Sequence, residues 1–257
     1  RKNRAFNLST REQGTKVEPQ IAVTVTDVLA AKAAIRAGAN LIYYFGNIFN
    51  RQKQWMEALN ELTSMAREHR ARLFVSFERV TSSFELNAIQ KILANYDYDG
   101  VLVANLGVWE VVKKHNPELS IHGDWSLNTF NSVTANYLAG QGMELVYLSP
   151  ELTLNQMKQI CRKTGIALGS VVHGPLPVMI SEYCPVGACM NCSRDQGIEK
   201  FPCLDQKYGL TDRKGYTLPV EMDRQCRMHL FNPVDLCLLD HLGSIVDAGG
   251  SVLRIEA

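Results

Sequence analysis

The chain has 257 residues, of which 46% are hydrophobic and 21% are charged. A chain of this length can bury a substantial core, so its folding does not need the disulfide staples of a mini-protein. Lysine and arginine total 27 against 26 aspartate and glutamate residues. This balance excludes a polybasic nucleic-acid clamp or an acidic tail as the organising feature, so any contact with RNA must be local.

The sequence indicates neither a membrane span nor a secretion signal. No apolar run reaches the roughly 18 residues that a spanning helix needs, and residues 1–19 lack the apolar centre of a signal peptide. We therefore expect a cytoplasmic protein with no membrane partner, in which clustered cysteines indicate metal or redox chemistry. Residues 1–19 are interpreted as a linker or N-terminal extension. Because the first residue is Arg1 and not methionine, the chain could be a fragment of a longer protein.

One pattern recurs along the chain: a helical stretch, a glycine and a short apolar run. In "VLAAKAAIRAGANLIYYFG" it predicts a helix, a left-handed cap at Gly38 and a strand over about 40–45. The pattern returns at Gly100, Gly142 and Gly165. Strands are predicted near 21–25, 41–45, 72–77, 100–104, 119–123, 144–148, 166–172 and 251–255.

Eight such strands, rich in Val, Ile and Leu, predict a (β/α)8 TIM-barrel-like α/β domain over residues 20–257. A doubly wound open sheet is the alternative arrangement. The segment from about 174 to 232 interrupts the pattern, and "KYGLTDRKGYTLPVEMD" within it is typical of two strands around a turn. We interpret this segment as a Cys-rich insertion after strand seven, over the C-terminal mouth of the barrel and before a helix at about 233–247.

Five of the seven cysteines lie in the insertion. They are Cys184, Cys189, Cys192, Cys203 and Cys226, separated by four, two, ten and twenty-two residues. Zinc usually takes two close cysteine pairs and only one occurs here, whereas a four-iron four-sulfur cluster tolerates irregular spacing. The spacing favours iron-sulfur only slightly and leaves zinc open. The other two cysteines, Cys161 and Cys237, fall at apolar positions of predicted helices and are expected in the core.

Two stretches of the insertion, "VVHGPLPVMISEYCPVG" and "YGLTDRKGYTLPVEMDRQCRMHLFN", resemble the collagenase-like peptidase family U32 in order and spacing. The resemblance extends upstream through "LVANLGVWE", "SLNTFNS" and "LSPELTL". Long members have a second barrel-like half downstream of another one, and this chain is similar to that second half. The upstream half, or a homologous subunit, is then an expected partner.

The resemblance implies a barrel-like fold with a cysteine-bound 4Fe-4S cluster in the insertion. It also implies oxygen-independent hydroxylation of a pyrimidine in transfer or ribosomal RNA, or of a small ring in ubiquinone synthesis. In some relatives prephenate is the oxygen source. The older family name implies proteolysis instead.

Three cluster ligands follow from the resemblance, residue by residue. They are Cys184, Cys203 and Cys226. The chain departs from the family pattern at Pro177 and Glu199, where many relatives have further ligands. The fourth ligand must then be Cys192 or Cys189, of which we prefer Cys192.

Four catalytic candidates lie at the ends of predicted strands. They are His173, Asp124, Asn128 and Glu151. His173 closes strand seven beside the insertion, where it would transfer a proton at the substrate or anchor the loop. The two candidates after strand five would orient a substrate or cap a helix. Asn131 and Thr153 are predicted helix N-caps. Glu151 would act on the substrate or would merely favour the N-terminal dipole of the helix that follows.

Charged residues add two further expectations. Glu78 and Arg79 would bind a carboxylate substrate or pair with each other on a solvated rim. A local basic patch facing RNA would comprise Arg213, Lys214, Arg224 and Arg227.

Three functions of different classes therefore remain. The first is an iron-sulfur hydroxylase or a subunit of one, acting on RNA or a small ring. The second is a peptidase: no H-E-x-x-H or G-x-S-x-G motif occurs, but a dyad of Cys184 and His173 stays open. The third is a non-catalytic module whose metal only fastens the insertion.

Overall fold

The computed structural model describes residues 18–46, 58–190, 192, 203, 206–223 and 225–257. Residues 1–17 of the predicted N-terminal extension and Arg224 of the predicted basic patch lie outside the described residues.

Eight parallel strands form a closed barrel. They are β1 (Gln20–Val25), β2 (Leu41–Tyr44), β3 (Arg72–Ser76), β4 (Gly100–Val103), β5 (Ser120–Gly123), β6 (Leu145–Tyr147), β7 (Ala167–Gly174) and β13 (Val252–Glu256). Strands β1 to β6 pair in chain order, β6 pairs with β7, and β13 pairs with both β7 and β1. This last pairing closes the sheet, so the predicted (β/α)8 barrel is confirmed and the open sheet is wrong.

Helices follow the strands around the outside of the barrel. They are α1 (Val28–Arg36), α2 (Ala58–Glu68), α3 (Ser83–Asn95), α4 (Leu106–His115), α5 (Ser132–Gly140), α6 (Leu154–Cys161) and α8 (Leu242–Asp247). Asn131 and Thr153 cap α5 and α6 through side-chain oxygens that accept backbone N–H groups, as predicted. Ser82 and Glu85 form a reciprocal capping box at the start of α3.

The last helix is shorter than predicted, because the chain after the insertion first pairs with the barrel. Strand β12 (Leu236–Cys237) runs antiparallel to the end of β7 and places Cys237 opposite His173. Cys237 is consequently exposed, and the expectation of a core cysteine is wrong there. Cys161, at the end of α6, does pack half-buried against a hydrophobic cluster between α5, α6 and α8.

Large side chains fill the barrel interior, among them Tyr43, Phe74 and Tyr147, all fully buried. Small residues on neighbouring strands leave the space that these large rings occupy. A Cβ atom at Gly169 of β7 would lie 2.4 Å from Cε1 of Tyr147, so only glycine leaves room for this ring. The interior is therefore packed, as is usual in a TIM barrel.

The insertion forms a second sheet. Its antiparallel strands β8 (Pro177–Ser181), β9 (Tyr208–Thr211), β10 (Thr217–Met222) and β11 (Met228–Phe231) pair in the order β8-β11-β10-β9. We call these four strands the insertion sheet. The hairpin of β9 and β10 matches the sequence prediction, whereas β8 and β11 were not predicted. A short helix α7 (Pro185–Cys189) follows β8 and begins at Cys184.

Candidate active site at the barrel mouth

A cavity of about 460 Å³ lies between the carboxyl ends of the barrel strands and the insertion sheet. We call it the mouth cavity. Its barrel side includes Phe45, Glu78, Arg79, Asp124, Trp125, Arg254 and Glu256. Its sheet side includes Pro177, Ile180, Pro219, Glu221, His229 and Phe231. The cavity has the place of an active site in a TIM barrel, with polar groups at the bottom and apolar and aromatic walls.

Strand alternation gives the insertion sheet two different faces. His229 of β11 lies opposite Glu221 of β10 and Ile180 of β8, and all three line the mouth cavity. The residues next to them in β11, Met228 and Leu230, belong instead to a separate hydrophobic cluster. Because successive side chains of a strand point to opposite faces, the insertion sheet separates this cluster from the mouth cavity.

Arg254 organises the floor of the mouth cavity. Its Nε donates to Oγ1 of Thr24 at 2.7 Å and its Nη1 to Oδ1 of Asp124 at 2.6 Å. Its Nη2 lies 2.8 Å from Oε1 of Glu256. The guanidinium also lies over the rings of Tyr43 and Tyr147, at 5.2 and 4.8 Å from their centroids. One buried arginine thus holds groups from four barrel strands together.

The two carboxyl groups beside Arg254 respond differently to burial. For Asp124, burial alone would raise the pKa, but Arg254 and Arg79 together outweigh it and hold the pKa below its usual range. For Glu256, burial dominates and raises the pKa, with Asp124 adding to the effect against the opposing Arg254. Asp124 is therefore the ionised partner of Arg254 at neutral pH.

Below the arginine lies a buried chain of three polar rings. Tyr147 donates to the Tyr43 hydroxyl at 3.0 Å, and this hydroxyl lies 2.8 Å from Nδ1 of His122. Burial, with a smaller effect of Arg72, lowers the pKa of His122 to about 3. The imidazole is thus neutral at physiological pH and completes the hydrogen bonding of the barrel interior.

Arg227 joins the insertion to the barrel. Its side chain is only 4% exposed, yet its nitrogens lie 2.7 Å from Glu78, 2.7 Å from Glu85 and 2.6 Å from Glu182. A fourth carboxylate, that of Asp223, lies 3.8 Å away and also contacts His229 at 3.1 Å. The expectation that Arg227 belongs to an exposed basic patch is wrong, because its charge is satisfied within the protein.

Four carboxyl groups share this one guanidinium, and the pKa values of two of them, Glu78 and Glu85, shift in opposite directions. Burial, followed by repulsion from Asp223, raises the pKa of Glu78 to about 8. For Glu85, burial would also raise the pKa, but hydrogen bonds from Arg227 and Ser82 outweigh it and lower the pKa to about 2. Glu78 lines the mouth cavity and is thus a carboxyl group that can hold a proton near neutral pH.

Arg79 lies beside Asp124 at the edge of the mouth cavity. Its guanidinium carbon is 3.6 Å from the centroid of the Trp125 ring, and its Nε is 3.9 Å from Oδ2 of Asp124. Among the described residues, Glu78 forms its ion pair with Arg227 and Arg79 lies beside Asp124, so Glu78 and Arg79 do not pair with each other. Burial lowers the pKa of Arg79, although Asp124 opposes this effect.

Of the four predicted catalytic residues, the mouth cavity includes Asp124. His173 lies at the end of β7 with an exposed side chain, outside the residues that line the cavity. Asn128 ends a short 3-10 helix (Trp125–Leu127) in the left-handed conformation, exposed at a neighbouring groove. Glu151 is exposed before α6. A catalytic role of these residues stays a prediction.

Two cysteines of the insertion, Cys184 and Cys203, lie on the far side of the insertion sheet. Cys184 and Cys203 pack against the cluster that contains Met222 and Met228, and the sulfur of Cys184 lies 3.7 Å from that of Met222. The Cys184 sulfur also accepts a hydrogen bond from the Gly187 N–H at 3.2 Å. All seven cysteines are free of disulfides.

Soft thiol ligands suit an iron-sulfur or zinc centre in their chemistry. Within the described part of the chain, however, no group of three or more His, Cys, Asp or Glu side chains is arranged to hold a metal ion.

Sequence reasoning missed Arg254 and Trp125, two central residues of the mouth cavity. The signal for Arg254 was available: in "SVLRIEA", Val252, Arg254 and Glu256 alternate on one face of the last strand. Because Val252 fills the barrel interior, a charged residue two positions later must lie in the mouth.

The comparison with known families agrees with this architecture. The model of peptidase family U32 matches residues 26–257. The chain belongs to peptidase family U32. The solved structure of the U32 peptidase Mk0906 superposes with a TM-score of 0.56 at 12% identity, covering 98% of each chain. At this identity the likeness concerns the fold alone.

Among curated relatives, the "23S rRNA 5-hydroxycytidine C2501 synthase" of Escherichia coli is 26% identical over 90% of this chain. An uncharacterized protease of Methanocaldococcus jannaschii is 27% identical over 90% of it. The "tRNA hydroxylation protein P1" of Bacillus subtilis is 20% identical over 97% of it. The matches span only 35%, 58% and 61% of these relatives. The chain thus spans between a third and two thirds of their length.

In the described ranges, no helix is long and apolar enough to cross a membrane.

Proposed function

We propose that this U32 domain takes part in the hydroxylation of a pyrimidine base in RNA, with the base bound in the mouth cavity. The observation that supports this is the combination of a mouth cavity of about 460 Å³ with relatives that are named as RNA hydroxylation proteins. A small ring from another source is a less favoured substrate, because the hydroxylation relatives above are named for ribosomal and transfer RNA.

The walls of the cavity suit a flat, neutral ring. Phe45, Trp125 and Phe231 line it together with prolines, and Glu78, Asp124 and Glu221 add hydrogen-bond acceptors. An enzyme that modifies a base must take it out of its stack, and aromatic side chains replace the lost stacking. The insertion sheet would shield the bound base from water above, while the Arg254 network fixes the floor.

Glu78 is the side chain best placed to move a proton at the ring. It lines the mouth cavity, and its raised pKa of about 8 lets it donate or accept near neutral pH. Arg227 holds its carboxyl group in place at 2.7 Å. His173 remains a second candidate that would have to reach the substrate from outside the cavity lining.

The cofactor belongs to the same proposal. Cys184, Cys203 and Cys226, with Cys192 or Cys189, would hold a 4Fe-4S cluster, with zinc as the alternative metal. When bound, such a cluster would supply electron-transfer chemistry. Prephenate as oxygen source and the upstream U32 half as partner follow from the family resemblance. A cytoplasmic location is proposed from the sequence patterning alone.

Single replacements of the ligand cysteines should lower the iron content of protein prepared without oxygen. We expect Cys184→Ser, Cys203→Ser and Cys226→Ser each to lose most of the bound iron and acid-labile sulfide, because a cluster needs its thiolates. Of Cys192→Ser and Cys189→Ser, the variant with less iron identifies the fourth ligand. Cys161→Ser and Cys237→Ser are the controls. If the wild-type protein contained stoichiometric zinc and no acid-labile sulfide, the proposed cluster would be contradicted and the site would be a zinc site.

The proposed activity is tested on RNA. Nucleosides from the ribosomal and transfer RNA of cells with and without the full-length protein are compared by mass spectrometry. We expect a hydroxylated pyrimidine that disappears with the gene and returns with wild-type protein, but returns at less than about a hundredth of that level with Glu78→Gln, as for loss of a general acid or base. Identical nucleosides in both strains would contradict the proposal.

A peptidase remains a second candidate because the family and one solved structure carry that name and one relative is named a protease. The predicted dyad lacks support: the described contacts of the Cys184 sulfur are the Gly187 N–H and the Met222 sulfur, and none is with a histidine. The insertion sheet also places this sulfur on the side facing away from the mouth cavity.

A further inference from the structure

Arg79 lies at the boundary between the mouth cavity and a second, shallower groove. The groove is lined by Arg79 and Trp125 together with Asn105, Leu106 and Asn128. Arg79 and Trp125 also line the mouth cavity. A ligand that extends from the mouth cavity into the groove must therefore pass the Arg79 guanidinium, whose side chain is 24% exposed.

Within the described residues, the N–H donors of this guanidinium have no hydrogen-bond acceptor. Arginine has five N–H donors, yet among the described residues no side chain or carbonyl accepts a hydrogen bond from those of Arg79. Its ionic partner, Asp124, lies at 3.9 Å, beyond hydrogen-bond distance. The Asp124 oxygens are instead engaged by Arg254 at 2.6 Å and the Ser126 N–H at 3.2 Å. The other two arginines of the site, Arg227 and Arg254, are fully engaged with carboxylates.

Arg79 is nevertheless held in place at both ends. The Asn105 side-chain amide donates to the carbonyl oxygens of Glu78 and Arg79, each at 3.1 Å. The Asn105 side-chain oxygen caps α4 through the Val108 N–H. At the other end, the Trp125 ring fixes the plane of the guanidinium from 3.6 Å. A stacked guanidinium presents its donors edge-on, in the geometry that suits two oxygens of one anionic group.

We infer that Arg79 binds an oxyanion of the substrate, a phosphate or a carboxylate, where the mouth cavity opens into the groove. The inference deepens the proposed function, since a base in the cavity would place its own phosphate near this boundary. Partial burial strengthens the attraction relative to an exposed arginine, and two N–H donors to one oxyanion form a charge-assisted pair.

Trp125 gives a direct readout of this binding, independent of catalysis. In a background with Trp55→Phe and Trp109→Phe, Trp125 is the single tryptophan of the chain. Its fluorescence is followed while inorganic phosphate, uridine 5′-monophosphate, uridine or malonate is added. We expect the anionic probes to change the fluorescence. Arg79→Gln should weaken the binding of these probes by roughly tenfold or more. Arg79→Lys should weaken it by less, because lysine keeps the charge but lacks the paired, coplanar N–H donors of arginine.

Arg72 provides a matched control. Its guanidinium carbon also lies over an aromatic ring, that of Phe74 at 4.8 Å, but at the opposite end of β3. Arg72→Gln removes the same charge and should leave the binding of every probe unchanged. Folding of all variants is checked by circular dichroism and thermal unfolding.

The probes separate the two sources of the oxyanion. A loss of affinity for phosphate and the nucleotide, but not for uridine, indicates the RNA backbone. A loss for malonate alone indicates a carboxylate co-substrate. The inference is overturned if folded Arg79→Gln and wild type have equal affinities for all anionic probes. It is also overturned if none of the probes binds at about 10 mM, roughly four orders of magnitude above a micromolar Kd. If RNA hydroxylation is absent but anion binding still depends on Arg79, the proposed function fails and the anion site stands.

Discussion

Replacing Arg227 by methionine is expected to lower the free energy of unfolding by about 3–5 kcal/mol, the range for breaking a buried ion pair by removing one partner. The methionine keeps most of the volume but leaves Glu78, Glu85 and Asp223 without their common cation. Three of the four carboxyl groups around Arg227 are themselves less than a fifth exposed, so water cannot replace it. Urea denaturation followed by circular dichroism measures the change.

The loss should be concentrated where the insertion meets the barrel. Hydrogen exchange is expected to accelerate in β10, β11 and the first turn of α3, whose capping box includes Glu85, and to change little in β4 and β5. Arg213→Met is the control, because Arg213 is exposed in the hairpin turn and its replacement should cost less than about 0.5 kcal/mol. Equal stability of the two variants would show that Arg227 does not fasten the insertion.

The barrel was predictable from the sequence because each of its strands is marked by a pattern of neighbouring residues. Each is a short apolar run, and several begin at or just after a glycine, as at Gly38, Gly100 and Gly142. The hairpin turn is indicated by Asp212, whose side chain accepts the N–H groups of Lys214 and Tyr216. Strands β8 and β11 have no such signal. Met228 pairs with Ser181, far away along the chain, and no turn connects the two strands directly.

The candidate site was only partly predictable, for a similar reason. Asp124 follows a predicted strand and was found by its position. Arg227 was interpreted as a surface charge, because nothing local distinguishes it from Arg213. Its partners Glu78 and Glu85 precede it by 149 and 142 residues, and only closure of the barrel brings α3 beside the insertion. Long-range ion pairs of this kind follow from topology and not from sequence spacing.

The same reasoning applies to the buried floor of the mouth cavity. Arg254 meets Thr24 across 230 residues of sequence, through the pairing of β13 with β1 that closes the barrel. Its removal should therefore affect both the site and the closure of the sheet. Arg254→Met leaves Asp124 and Glu256 buried, with Arg79 at 3.9 Å as the nearest remaining cation for Asp124.

We expect Arg254→Met to cost about 3–5 kcal/mol of unfolding free energy at pH 8 and clearly less at pH 5. In the wild type, Asp124 has a lowered pKa, so it contributes stability above its unfolded pKa. Without Arg254, burial raises the pKa of this group in the folded state, so stability is kept at low pH and lost as the pH rises through the raised pKa. The difference between variant and wild type must then widen with pH.

Urea denaturation at pH 5, 6.5 and 8 measures this difference. Adding Asp124→Asn to Arg254→Met should recover part of the loss at pH 8 and little at pH 5, because the amide cannot ionise. Arg36→Met, at the exposed end of α1, is the control and should be within about 0.5 kcal/mol of wild type at every pH. A deficit of Arg254→Met that is the same at all three pH values would mean that lost packing against Tyr43 and Tyr147, and not uncompensated charge, accounts for it.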